Sequence, residues 1–394
     1  MSTQTDRQLP PVWFLALCSG AAVVGLTILT PALPLITTEL GVSTSAVQQL
    51  LTIYLVALAV GQLLFGSVSD RFGRRPVLLC GALMYTAGSI AAFFSTDIVV
   101  LGVLRALQGL GAAACTAMSR AMVNDMFERD EAARQLSTIA IVLAVAPALS
   151  LAFGGLIAQS AGWQGSMALL STVGLLVCVL AFRFAHETHT NRGVSLGLTS
   201  ILGTYREILS NPVFVCWTLA SGMQVGMFFS LNGFLAYQYQ RNGYSLAEFG
   251  LWFSLTPVSY IIGNSFNKRW FVARGIERAA LIGCILSLIA VSILLLTQLA
   301  GMTHALSLAL PCILLGFSNG IVVANSMAGA IDASGAHVGT GTGIVGAWQM
   351  ATGGIAGAII IALGGAQEFV IAGGAVILMA TIAVLSMLYV YRRK

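Results

Sequence analysis

Two stretches of this chain hold charge in an order that suggests work. The first, Gly66-Ser-Val-Ser-Asp70-Arg71-Phe-Gly73-Arg74-Arg75-Pro76, sets one carboxylate among three guanidinium groups. The second starts at Arg105-Ala-Leu-Gln108-Gly109-Leu-Gly111 and continues to Ser119-Arg120-Ala-Met-Val-Asn-Asp125. The chemistry open to such sets is the making and breaking of ion pairs as backbone segments move. Asp70 can pair with an arginine or cap a helix N-terminus, and Asp125 is placed to meet Arg71 or Arg74. Gly66 permits close approach of another helix, and Gly73 permits a tight turn. Bond-making chemistry has no comparable foothold. The seven cysteines fall in separate apolar runs, with no C-x-x-C and no Cys/His cluster, so they read as small packing residues and neither a metal nor another cofactor is expected.

The elements that carry these residues follow from composition. Of 394 residues, 57% are hydrophobic and 8% charged, against about a quarter charged in a soluble domain. That excess of apolar surface must face lipid, and a net charge of +5 gives no reason to expect a nucleic-acid partner. Lipid satisfies no exposed backbone group, so a span is a helix of about 20 apolar residues. Twelve segments qualify: 12–37, 45–69, 77–96, 98–124, 135–160, 164–185, 212–238, 247–267, 277–299, 304–330, 338–362 and 368–391. The run after Met1–Pro11 is too long for a signal sequence and reads as a retained first span. The fold class is therefore an all-α membrane protein.

Lys and Arg orient it. With the N-terminus cytoplasmic, Arg7, Arg71, Arg74, Arg75, Arg129, Arg134, Arg183, Arg192, Arg206, Lys268, Arg269, Arg274, Arg278, Arg392, Arg393 and Lys394 all lie on the cytoplasmic side. That is 16 of 19; Arg105 and Arg120 lie inside the fourth span, and Arg241 stands alone opposite. Both termini are thus expected in the cytoplasm. The longest connection, 186–211, contains an amphipathic stretch around Ile201–Ile208 and separates residues 1–185 from 212–394. The halves echo one another: Gly263, Lys268-Arg269, Arg274-Gly275 and Arg278 are a degenerate copy of the 66–76 loop, as a six-helix repeat requires.

The 66–76 loop resembles the signature loop of the major facilitator superfamily. The fourth span and Ala146-Pro147-Ala148-Leu149, Gly154-Gly155 and Gly162-Trp163 in and after the fifth resemble further motifs of its Bcr/CflA-type drug-resistance exporters. Gly339-Thr340-Gly341-Thr342 to Trp348-Gln349, with Asn325, extend the likeness into the second half. The resemblance implies two six-helix bundles, 1–185 and 212–394, that rock about a central cavity. It implies a multi-pass monomer of a bacterial inner membrane that exports small organic molecules, drugs or secreted metabolites, with protons as a candidate coupling ion. Siderophore or natural-product export and solute import share the fold. A non-transporting sensor or a membrane-embedded enzyme is the reading from another class, and it lacks an output domain or a catalytic cluster.

By that resemblance Arg105 is a coupling or substrate-contact residue. Bilayer-centre arginine costs about 2.5–3.5 kcal/mol on insertion scales, so a snorkelling side chain is its plain alternative. Ala112, Thr116 and Ser119 share its face. Arg120, one turn from the cytoplasm, is grouped with Arg105 and Asp125 as a coupling residue, with a structural role as its plain alternative. Pro147 removes a helix hydrogen bond and Gly154 and Gly155 give close packing, so the fifth span can bend; the exporters' second proline is replaced here by Leu151. Thr27 stands where many such exporters have an aspartate before Pro31-Ala32-Leu33-Pro34. None of the fourteen acidic residues falls deep inside a span, which leaves Asp70 or Asp125 to carry a coupling proton. A cavity lined by the first, fourth, seventh and tenth spans is expected, with Ser19, Thr27, Thr30, Thr116, Gln224, Phe228, Asn232, Ser318, Val322 and Asn325 on compatible faces. Such a mostly uncharged pocket with one arginine suits an amphiphilic or weakly anionic molecule.

Overall fold

A computed structural model describes residues 9–188, 198–271, 275–335, 337–365 and 368–393. Arg7, Arg192, Arg274 and Lys394, counted above, lie outside them, as does the side chain of Arg129. The helices are α1 (Val12–Thr27), α2 (Leu33–Glu39), α3 (Thr44–Phe72), α4 (Arg74–Phe93), α5 (Ile98–Met126), α6 (Arg129–Phe184), α7 (Leu198–Leu209), α8 (Pro212–Arg241), α9 (Leu246–Phe266), α10 (Ile276–Leu299), α11 (Ala305–Ala333), α12 (Val338–Ala362) and α13 (Phe369–Arg392).

Eleven continuous stretches among the described residues are long and apolar enough to cross a membrane. One of them, Arg134–Phe184, has 51 residues, which at about 1.5 Å per residue is more than twice a hydrocarbon core of about 30 Å. It breaks at Gly162, whose φ of 67° and ψ of −175° are not helical, so α6 makes two crossings and the chain twelve. Trp163 anchors that break by donating its indole N–H to Glu39 at the end of α2 (2.8 Å). The first crossing is also broken. A 3-10 turn, Thr30–Ala32, joins α1 to α2 because Pro31 and Pro34 each remove a backbone donor. The amphipathic stretch of the central connection forms α7.

Among the described residues, five helix starts carry side-chain caps: Ser43 on α3, Asp97 on α5, Asn211 on α8, Ser245 with Glu248 in a reciprocal capping box on α9, and His304 on α11. Helices α4 and α10 begin instead at glycines without a side-chain cap of their own, Gly73 (φ 97°) and Gly275 (φ 96°). Helices α1 to α6 pack mainly on one another, with α5 against α3 and α4, and α1 against α6. Helices α8 to α13 do likewise, with α11 against α9 and α10, and α8 against α12 and α13. Two extensively packed pairs join the sets, α6 with α9 and α3 with α12, and α2 makes a smaller contact with α8. Leu63, Leu64, Val103, Val179, Leu296 and Leu378 stand exposed on the outer surface, the face that lipid covers.

Candidate functional site

Glycine placement decides how closely the helices approach. A Cβ at Gly109 would meet the Tyr54 carbonyl, and one at Gly111 would meet the Gly81 carbonyl and the Tyr85 backbone, so α5 lies directly on α3 and α4. The adjacent Gly154 and Gly155 face different partners. Gly154 abuts the Ile28 carbonyl at the break of the first crossing; Gly155 abuts Leu246 and Gly250 of α9 in the other half. Leu151, where a second proline was looked for, turns its carbonyl toward Gly250. Gly66 corrects an expectation: open space surrounds its Cβ position, since no helix comes near it on that side.

The charged loop closes into one cluster. Arg74 bridges Asp70 (2.7 Å) and Asp125 (3.0 Å), and its guanidinium also donates to Ser69. Of the two arginines proposed for Asp125, the structure puts Arg74 there; Arg71 lies over the Phe72 ring instead, and Arg75 is exposed. Two further groups complete the cluster. Glu187 accepts from the Arg74 backbone N–H (2.9 Å), serving as the cap that Gly73 cannot supply, and Thr188 donates to Asp125 (2.9 Å). Sequence reasoning missed both, because a carboxylate 113 residues away can cap a helix only once the fold has brought it there.

Between the halves lies a cavity of about 490 Å³. Its walls come from α1, α3, α5, α6, α8, α9, α11 and α12, so four crossings beyond the expected first, fourth, seventh and tenth take part. The lining residues sit near mid-membrane and in the half nearer the 66–76 loop. At the opposite end the halves are tied together. Tyr237 of α8 lies 2.9 Å from the Thr37 hydroxyl, Gln48 donates to the Gly233 carbonyl (3.4 Å), and the Ala247 amide donates to Gln159 (3.3 Å).

Of the expected lining residues, Ser19, Thr116 and Phe228 reach the cavity, and so does Pro147. The others do not. Thr27 donates to the Val23 carbonyl of its own helix, and Thr30 is buried in the 3-10 turn. Gln224 and Ser318 are drawn into a buried network around Ser287, which lies 2.9 Å from Gln224 and 2.6 Å from Ser318 and joins α8, α10 and α11. Asn325 donates to Asn267 (2.8 Å), Asn232 is buried, and Val323 takes the place assigned to Val322. For Gln224, Ser318 and Asn325, hydrogen bonding between helices won over exposure to a cavity.

The structure places the two arginines of α5 differently. Arg105 is fully buried, neither in the cavity nor at the headgroups. Its guanidinium stacks 4.3 Å from the Tyr54 ring centre and donates to Gln108 (2.8 Å), which donates in turn to Ser89 (3.0 Å). The hydroxyls of Tyr54 and Tyr85 bond to Ala22 and Ala21, so α1 lies over this part of α5. Arg120, one stage further along α5, lines the cavity together with Gln62, Tyr260, Asn264, Asn319 and Gln349. Their signal in the sequence was only an isolated polar residue within an apolar run.

Comparison with known proteins agrees with this architecture. The family model described as Major Facilitator Superfamily matches residues 15–358. A bicyclomycin resistance protein homolog of Haemophilus influenzae is 27% identical, covering 86% of this chain and 85% of that one. A chloramphenicol resistance protein of Pseudomonas aeruginosa is 30% identical over 78% of this chain and 72% of its own. The crystal structure of a D-xylose-proton symporter superposes with a TM-score of 0.75 at 16% identity, covering 97% of both chains, a likeness of fold.

Proposed function

The chain belongs to the Major Facilitator Superfamily, and on that premise we propose that it exports small organic molecules across a bacterial inner membrane by alternating access. It is a multi-pass membrane transporter. The single observation that carries the mechanism is the cavity between residues 1–185 and 212–394, placed toward the 66–76 loop while the opposite end is tied shut; the direction rests on the relatives named for resistance. With both termini and that loop in the cytoplasm, the state is one that loads from the cytoplasm. The two bundles then rock about α6–α9 and α3–α12, where Gly155, Gly250 and Gly354 let backbones slide at short range. Relatives named for resistance to bicyclomycin and chloramphenicol support an organic cargo of that size.

Proton coupling belongs to the same reading. Among the described residues no acid lines the cavity, so the proton acts at the Asp70–Arg74–Asp125 cluster, where protonating a carboxylate weakens the pairs that hold the loop. The test is a susceptibility and accumulation screen in an efflux-deficient host, run with and without an uncoupler. Expression should lower accumulation of at least one organic compound, and the uncoupler should abolish the difference. Equal accumulation of every compound with and without the protein would remove the proposal. Reporter fusions after Asn211 and Asn242 should read cytoplasmic and external; the same side for both would overturn the orientation.

A further inference from the structure

Among the described residues, Arg120 is the one charged side chain lining the cavity. Among the described residues no carboxylate lies within salt-bridge distance of it. The nearest acid in sequence, Asp125, is five residues on, about 140° around the helix at 100° per residue, and is held by Arg74. A guanidinium in the membrane without a counter-ion is costly, and that cost is recovered when an anion arrives with its own hydrogen-bond acceptors. The surroundings describe the rest of such a ligand. Phe228, Phe229, Tyr260, Pro257 and Met350 form a broad apolar and aromatic bed, and Gln62 and Asn319 add polar groups. A space of about 490 Å³ is ample for a drug-sized molecule and far larger than an inorganic anion needs.

The position of Arg120 gives this charge a further use. Gly346 of α12, in the opposite half, faces it: a Cβ there would lie 3.9 Å from Arg120 Nη1 and 3.4 Å from Gln62 Oε1. The guanidinium thus reaches the seam between the halves. An acidic group bound to it touches α5 and α12 together, and the pair tightens as the halves close around it, which is the differential affinity that shifts a two-state equilibrium.

We propose that the cavity selects amphiphilic organic monoanions, with Arg120 as their counter-ion and the Phe228–Phe229–Tyr260 surface as the bed for their apolar body. This rests on the transporter reading given above but adds the cargo's charge, and the two can fail separately. The probes are pyrenebutyrate, its neutral primary amide and the matching pyrenebutylamine, titrated by fluorescence against the purified full chain in neutral detergent. Wild type should bind the carboxylate about tenfold more tightly than the amide, a difference of about 1.4 kcal/mol, with the amine weakest. Raised salt should weaken the carboxylate selectively. Arg120→Gln should bring the carboxylate to the amide's level, whereas Arg120→Lys should keep a preference for the carboxylate.

Should Arg120→Gln misfold, the wild-type series still decides. An amide or amine that binds as tightly as the carboxylate overturns the assignment, as does a carboxylate preference that survives Arg120→Gln. Reconstituted vesicles separate the two readings. Transport of the probes without preference for the anion would leave the transporter and remove the anion. Arg120-dependent anion binding with no probe moved would leave the anion and remove the transporter.

Discussion

The turn between α3 and α4 and its counterpart between α9 and α10 share a backbone device and differ in what locks it. Each following helix opens at a left-handed glycine, Gly73 with φ 97° and Gly275 with φ 96°. In the first half the lock is ionic, with Arg74 held between Asp70 and Asp125. In the second half Asn267, four residues after Gly263 as Asp70 is four after Gly66, sits in a π-helical turn and bonds through neutral amides to Asn325 of α11. Close helix approach is divided the other way. A Cβ at Gly263 would strike the Phe317 carbonyl, while Gly66 has open space. The two locks divide the labour. An ionic lock depends on protonation and on what replaces each partner when it opens, so it can answer to a gradient. An amide lock buried beside a tight glycine contact has no charge for a gradient to act on.

The largest effect in this comparison belongs to Arg74. Arg74→Gln leaves two carboxylates facing one another, and a loss of about 3 kcal/mol in stability is expected together with most of transport, read from thermal unfolding in detergent and from vesicle uptake. An unchanged melting temperature would show that the cluster is ornamental. Asp70→Asn and Asp125→Asn keep the shapes and remove one charge each. Asp70→Asn should lose most transport with near-normal membrane insertion; Asp125→Asn should still bind cargo but lose its acceleration by an imposed pH gradient. A wild type indifferent to that gradient would mean another ion or facilitated diffusion.

Asn325→Ala removes two neutral hydrogen bonds, to Asn267 and to the Ile321 carbonyl, and should cost about 1–2 kcal/mol while leaving the response to the gradient intact. If it abolishes that response, the two locks are not different in kind. Smallest is Glu187→Ala, which removes a cap and a carboxylate from the α4 N-terminus and should cost about 0.5–1 kcal/mol, falling as salt is raised. A loss as large as that of Arg74→Gln would make Glu187 part of the lock itself.

The twelve crossings were legible because lipid exposure forces whole apolar runs of fixed length, and the one merged helix, α6, still betrays its break by Gly162-Trp163. The signature loop was legible because Asp70 and Arg74 are an i, i+4 pair within one turn of chain. The cavity was less so. Helical periodicity put Gln224, Ser318 and Asn325 on a plausible face, but a serine or asparagine satisfies itself equally well against a neighbouring helix, and which neighbour stands there is a tertiary fact. Arg105 and Arg120 show the same limit: both lie on α5 among small residues, and only the lie of α1 over Tyr54 and Tyr85 hides one and leaves the other facing the cavity.

Alternating access is the claim on which the rest depends, and a reversible bolt across the closed end tests it. A Cβ at Gly357 of α12 would lie 3.1 Å from the Thr52 hydroxyl of α3, a spacing suited to a disulfide between the halves near the end away from the 66–76 loop. In a Thr52→Cys, Gly357→Cys double variant with exposed Cys80 replaced by serine, transport of a cargo from the accumulation screen is measured before oxidation, after it, and after reduction. Oxidation should stop transport, and reduction should restore it. Undiminished transport by the fully cross-linked protein would contradict alternating access.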